Sequence, residues 1–129
     1  MGRTRPCNAA QRIGRLSKAK AFLEAAKLVD ELNDGDPDLV DAAVTLYIHA
    51  GIAAADMICC ARLGEHALGE NHIEAVQLLD KADKDSAKYL RTLLGSKTKS
   101  GYSAETSSTA EHKQAQRAAA ALVARAGDI

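Results

Sequence analysis

A chain of 129 residues has room for one hydrophobic core, and so for one domain. Its 17 basic and 17 acidic side chains cancel, which excludes an overall charge that would draw the whole surface to nucleic acid or an acidic membrane. Alanine, leucine and charged residues dominate, with two prolines, one phenylalanine and little alternation of β-branched and aromatic residues, which excludes a sheet-built fold and leaves an all-α one.

Residues 1–8 read as a disordered basic arm ahead of a single helical-bundle domain over 9–127. Every charge from Arg3 to Lys20 is positive, whereas Asp30 to Asp41 holds six acids and no base. The opening MGRTRPCNAAQRIGRLSKAK has no apolar h-region of a secretion signal, so the expected location is cytoplasmic. A first helix runs from beyond Pro6 and Asn8 to about Asn33. Leu16, Ala19, Leu23 and Ala26, joined by Phe22, Val29 and Leu32, form its apolar stripe, and Lys18, Lys20, Glu24, Lys27 and Glu31 take the other faces. The turn Asn33-Asp34-Gly35 stops it. Asp36 then caps a second helix, with Pro37 in its first turn and Asp38 at its positive end.

That second helix, Asp36 to Gly64, is the organising element. Ala42 to Ala55 carries no charge and includes Leu46, Ile48 and Ile52. Apolar residues nearly all round a helix need neighbours on several sides, so the other helices wrap it. The uncharged run is shorter than the roughly 20 residues a bilayer needs, and no membrane partner is expected. Gly64 ends the helix, and EHALGENH leads to a third, where Asn71 and Glu74 have capping-box spacing and Ile73, Val76 and Leu79 face the core. Ser86 to Leu94 is a fourth helix with Leu90, Leu93 and Leu94 inward. The polar stretch GSKTKSGYSAETSS follows as a loop, and Ser108 with Glu111 caps a last helix that runs to Gly127. The expected fold is a four- to five-helix up-and-down bundle around a long central apolar helix.

Cys7, Cys59 and Cys60 are an odd set without a CxxC pair or a His/Cys metal spacing, and read as reduced thiols. Cys59 and Cys60, about 100° apart on a helix, are poorly placed to bridge each other. His49 and Asp56, seven residues apart, project from nearly one face of the central helix. They read either as a polar pair lining a cleft or as a hydrogen-bonded core histidine and an interface aspartate. Arg62, Glu65, His66 and His72 gather at the turn between the second and third helices, as a site for phosphate or, with less support, for a metal on the two histidines, or as structural or solvated turn residues. Lys97, Lys99 and Tyr102 have the makings of a stacking and phosphate-holding patch, or of a tyrosine that seals the bundle end. No zinc pattern, phosphate loop or Ser/His/Asp set is present, so neither metal nor cofactor is expected.

The order of these helices, with YIHAGIAAA (Tyr47 to Ala55), DMICCARLG (Asp56 to Gly64), NHIEAVQLL (Asn71 to Leu79) and KTKSGY (Lys97 to Tyr102), resembles the HEPN superfamily, in particular small actinobacterial-type helical-bundle members. The resemblance covers about residues 12 to 126. It implies a homodimer and an RNA or protein partner in a defence, stress or toxin and antitoxin system. Active members are metal-independent ribonucleases that carry an Arg and, after four to six residues, a His: the His moves a proton and the Arg holds phosphate charge. Here Arg62 and His66 have three residues between them and a helix end at Gly64, and no His follows Arg91 before the last helix. The expectation is therefore a non-catalytic interaction module. The alternatives are an endoribonuclease using Arg62, His66 or His72, and a structural helical adaptor without nucleic-acid contact.

Overall fold

The structure, a computed structural model, describes residues 3–69, 71–97 and 104–129. Its helices are α1 (Ala9–Leu32), α2 (Pro37–Leu63), α3 (His72–Ala82), α4 (Lys84–Gly95) and α5 (Thr109–Gly127). Two short strands, β1 (Thr4–Pro6) and β2 (Glu65–Ala67), form an antiparallel pair. The architecture is the expected all-α bundle around a long apolar helix.

Local chemistry sets the helix ends. Asn8 and Gln11 form a reciprocal capping box at the start of α1, and Ser108 and Glu111 form another at the start of α5. Asp36 accepts the Asp38 N–H ahead of α2, and Asn71 accepts the Glu74 N–H ahead of α3. Gly64 closes α2 in the left-handed conformation, φ 73°. Between α1 and α2, Asn33 exchanges two side-chain bonds with the backbone of Asp36 while Gly35 takes φ 86°. This tight turn lays α1 antiparallel along α2, so Arg15 meets Asp56 and Phe22 meets His49.

α2 packs against each of the four other helices among the described residues. Tyr47, Ile48 and Ile58 of α2 and Leu79, Leu93 and Leu122 of the helices around it are the largest fully buried side chains, with small residues filling the spaces between axes: Ala19 and Ala26 on α1, Ala50, Ala53 and Ala54 on α2, Ala115, Ala118 and Ala119 on α5. Gly51 of α2 faces Leu93 of α4 and Leu122 of α5. A Cβ there would run into Cδ1 of Leu93 and stand 3.3 Å from Cδ1 of Leu122, so close packing explains a glycine in mid-helix despite its cost of about 1 kcal/mol against alanine. By length and composition α2 is the one described helix apolar enough to cross a membrane, but 72% of its most apolar window is buried inside the bundle.

Two polar clusters clamp this core. Tyr47 donates its hydroxyl to Oδ2 of Asp30, whose Oδ1 lies 2.9 Å from Nε2 of His112, joining α1, α2 and α5. Asp83, at the α3–α4 junction, takes Arg125 of α5 at both carboxylate oxygens (3.0 and 2.8 Å) and the Ser86 hydroxyl at 2.6 Å. Ser86 and Arg125 together hold the Asp83 carboxyl below its usual range.

Two expectations are corrected at the N-terminus. Where residues 1–8 read as a disordered arm, Thr4–Pro6 is a strand, extended by bonds from the Leu68 N–H to the Arg3 carbonyl (2.9 Å) and from the Cys7 N–H to the Gly64 carbonyl (3.0 Å). Where three reduced thiols were expected, Cys7 is bonded to Cys60 and Cys59 alone is free. The reason is tertiary. The left-handed Gly64 turns the chain back along the end of α2, and pairing of β1 with β2 brings Cys7 to within 5.8 Å (Cα–Cα) of Cys60.

Candidate functional site

Beside β2, a cavity of about 260 Å³ opens between α1, α2, α3 and α4. Its walls carry Arg15 from α1, Asp56 and Cys59 from α2, His66 from β2, His72 from the first position of α3, and Lys97. Apolar closure comes from Ile52, Ala75, Leu90 and Leu94. Two other hollows flank it. A larger one of about 590 Å³ mixes Arg3, Lys81 and Arg91 with Glu65, Glu74 and Asp80 and contains no histidine. The third, about 410 Å³, shares His72 and Leu94 with the first and is otherwise mainly apolar. The smallest of the three thus gathers the most chemically capable side chains.

Each side chain arrives by an identifiable route. The α1–α2 hairpin places Arg15 opposite Asp56, 3.7 Å apart. Strand alternation on β2 turns His66 inward between the half-buried Glu65 and Ala67, leaving it 6% exposed. The His66 Nδ1–H donates to the Ala67 carbonyl at 2.9 Å; because a carbonyl only accepts, this leaves Nε2 as the nitrogen that takes up or gives a proton. Asn71 caps α3 immediately before His72, so that ring stands at the positive end of a helix.

Burial lifts the Asp56 carboxyl from its ordinary 3.8 to about 6, against the pull of His66 and Arg15, which favour the ionised form. Burial also pushes the Cys59 thiol up to about 12, helped by the negative charges of Asp56 and Glu65, so this sulfur stays protonated and poorly nucleophilic. Asp56 carries a pH signature whose sign follows from linkage. Its folded pKa lies above its unfolded one, so the native state takes up a proton first as pH falls, and this group adds stability between about pH 6 and pH 4. Relative to Asp56→Asn, the native protein should gain on the order of 2 kcal/mol between pH 7.5 and pH 4.5. Urea titrations at the two pH values measure it, and a pH-independent difference would refute it.

Other expected site residues lie elsewhere. Arg62 is exposed, donates to the Ala82 carbonyl at 3.5 Å, and does not line the cavity that holds His66. His49 is neither a core histidine nor a cleft residue: it is exposed, its ring stacked on Phe22 at 5.4 Å, whereas Asp56 reaches the cavity without it. Lys99 and Tyr102 lie outside the described residues. Among the described residues no group of three or more His, Cys, Asp or Glu side chains is arranged to hold a metal ion. Cys59 is the member that sequence reasoning missed as a site residue; the sequence offers Arg15, with Arg12, Lys97 and Lys99, as the positive face a nucleic-acid binder needs, without placing it opposite Asp56. A signal for that placement was present: a hairpin centred between Gly35 and Asp36 pairs residues whose numbers sum to 71, which joins Arg15 to Asp56 and Phe22 to His49. No family model, curated protein or solved structure matches the chain.

Proposed function

We propose that this chain is a HEPN-like binding module that takes a phosphate of single-stranded RNA at the cavity beside β2. The observation that supports this reading is convergence. Arg15, His66, His72 and Lys97, from separate segments of the chain, face one small space inside a bundle otherwise packed with alanine and leucine. A guanidinium has five N–H donors, and the Arg15 contact with Asp56 through Nη1, the one it makes among the described residues, does not use them all. The His72 ring and the α3 N-terminus add further donors, and His66, whose Nδ1–H is held by the Ala67 carbonyl, adds one at Nε2 when protonated. The HEPN-like reading also expects two copies to pair, which light scattering measures.

Fluorescence anisotropy with a labelled single-stranded RNA tests the site. Affinity should fall steeply with salt, and Arg15→Ala should weaken binding about tenfold and reduce the magnitude of the salt slope by about 0.7. Unchanged affinity in that variant would remove the cavity from the interface. A second reading, metal-independent RNA cleavage, is favoured by one observation, the presence of two histidines in the same cavity. One histidine would take the 2′-hydroxyl proton and the other would protonate the leaving 5′-oxygen. Cleavage in chelator that is lost in both His66→Ala and His72→Ala would establish the enzyme; intact RNA with saturable binding would establish the binder.

A further inference from the structure

We infer that the Cys7–Cys60 disulfide is a redox latch on the cavity, holding the β2 wall in place when oxidised and releasing it when a dithiol reduces it. The functional consequence rests on the RNA-binding reading above; the movement of the wall does not. Four consecutive cavity residues, His66, Ala67, Leu68 and Gly69, belong to β2 and the residues just after it. β2 is three residues long and its strand partner is β1, in the register Thr4↔Ala67, Arg5↔His66 and Pro6↔Glu65. A two-stranded sheet this short is marginal by itself, so it needs an anchor. Cys7, the residue after β1, provides that anchor by its bond to Cys60 near the end of α2, a link across 53 residues of chain. Cys59, next to the anchor, lines the cavity and is the reporter that wall movement would uncover.

The chemistry is two-electron thiol–disulfide exchange. A thiolate of the dithiol attacks Sγ of Cys7, which is more exposed than Cys60; the S–S bond breaks and Cys60 leaves as a thiolate that takes a proton. The second thiol of the reductant then displaces Cys7, giving two protein thiols and an oxidised reductant. Cys59 takes no part, because its thiol is held protonated. With the bond cut, β1 regains its chain entropy, β2 loses its partner and His66 loses its fixed place.

The test uses Cys59 as the reporter. The chain has three cysteines, so Cys59 is the single free thiol both in the oxidised native protein and in the Cys7→Ser/Cys60→Ser variant. Maleimide should label Cys59 at least about tenfold faster in the double variant, with the helical circular dichroism signal retained, as expected for local opening. Arg5→Pro keeps the disulfide but strips a ladder donor opposite His66, and should also speed labelling. Equal rates in both variants would overturn the latch, as would acceleration that occurs in both only with loss of helical signal. RNA affinity, measured in parallel, should fall at least about fivefold in the double variant. Labelling reports the wall whether or not RNA binds, so failure of the RNA reading leaves the labelling result standing, and failure of the latch leaves native RNA binding standing.

Discussion

Replacing Cys7 by serine should lower the free energy of unfolding by about 4 kcal/mol, the entropy released when a link spanning 53 residues no longer restricts the unfolded chain. Urea denaturation under non-reducing conditions measures the loss, and native protein treated with a dithiol should reproduce the curve of the variant. Coincident midpoints for oxidised native protein and Cys7→Ser would show that the bond makes no contribution in solution. Because the cost acts largely on the unfolded ensemble, the helices need not melt when the link is cut. Domains of this kind hold roughly 5–15 kcal/mol in reserve, which is what allows local release of β2 while the bundle persists.

Removing the Asp30 carboxylate should cost about 3 kcal/mol, and the contrast with Tyr47→Phe locates the reason. Tyr47 is fully buried, and both burial and the adjacent Asp30 charge raise its pKa, so its hydroxyl is a permanent donor that needs an acceptor. Asp30→Ala removes that acceptor and at the same time deprives His112 of its partner. Tyr47→Phe removes donor and need together, leaves the Asp30–His112 contact standing, and should cost only about 1 kcal/mol. Chemical denaturation of the two variants gives the order, and a Tyr47→Phe loss equal to or larger than that of Asp30→Ala would show that ring packing, not the shared carboxylate, holds this point of the bundle.

Much of the fold was legible because helix ends are local. Asp36 and Pro37 starting α2, Gly64 ending it, and Ser108 with Glu111 opening α5 are contacts between residues within four positions of each other, and all form as read. The apolar run in α2 likewise required enclosure on several sides. Polar partnerships across the core were much less legible. Asp30, Tyr47 and His112 come from three helices, and Arg125 reaches the local Asp83–Ser86 pair across the α4–α5 packing; these long-range partners are close only after the helices have chosen their faces. The strands were invisible for a related reason. Three-residue segments such as Thr4–Pro6 and Glu65–Ala67 carry no usable periodicity, and it is their pairing that makes them strands.

The candidate site divides in the same way. Asp56, His66, His72 and Lys97 could be named from residue type and position, and His66 and His72 grouped at one turn, but their meeting with Arg15 could not be read, and Arg62 and His49 were named with them although they do not line the cavity. By itself the sequence determined an all-α bundle, its helix ends and the burial of α2, since hydrophobic periodicity and capping act over one or two turns. Tertiary structure alone decided which histidines share a wall with Arg15 and which cysteine bonds Cys7. Those outcomes depend on the angle at which Gly64 returns the chain and on the register of β1 against β2, distances set between segments that are remote in sequence.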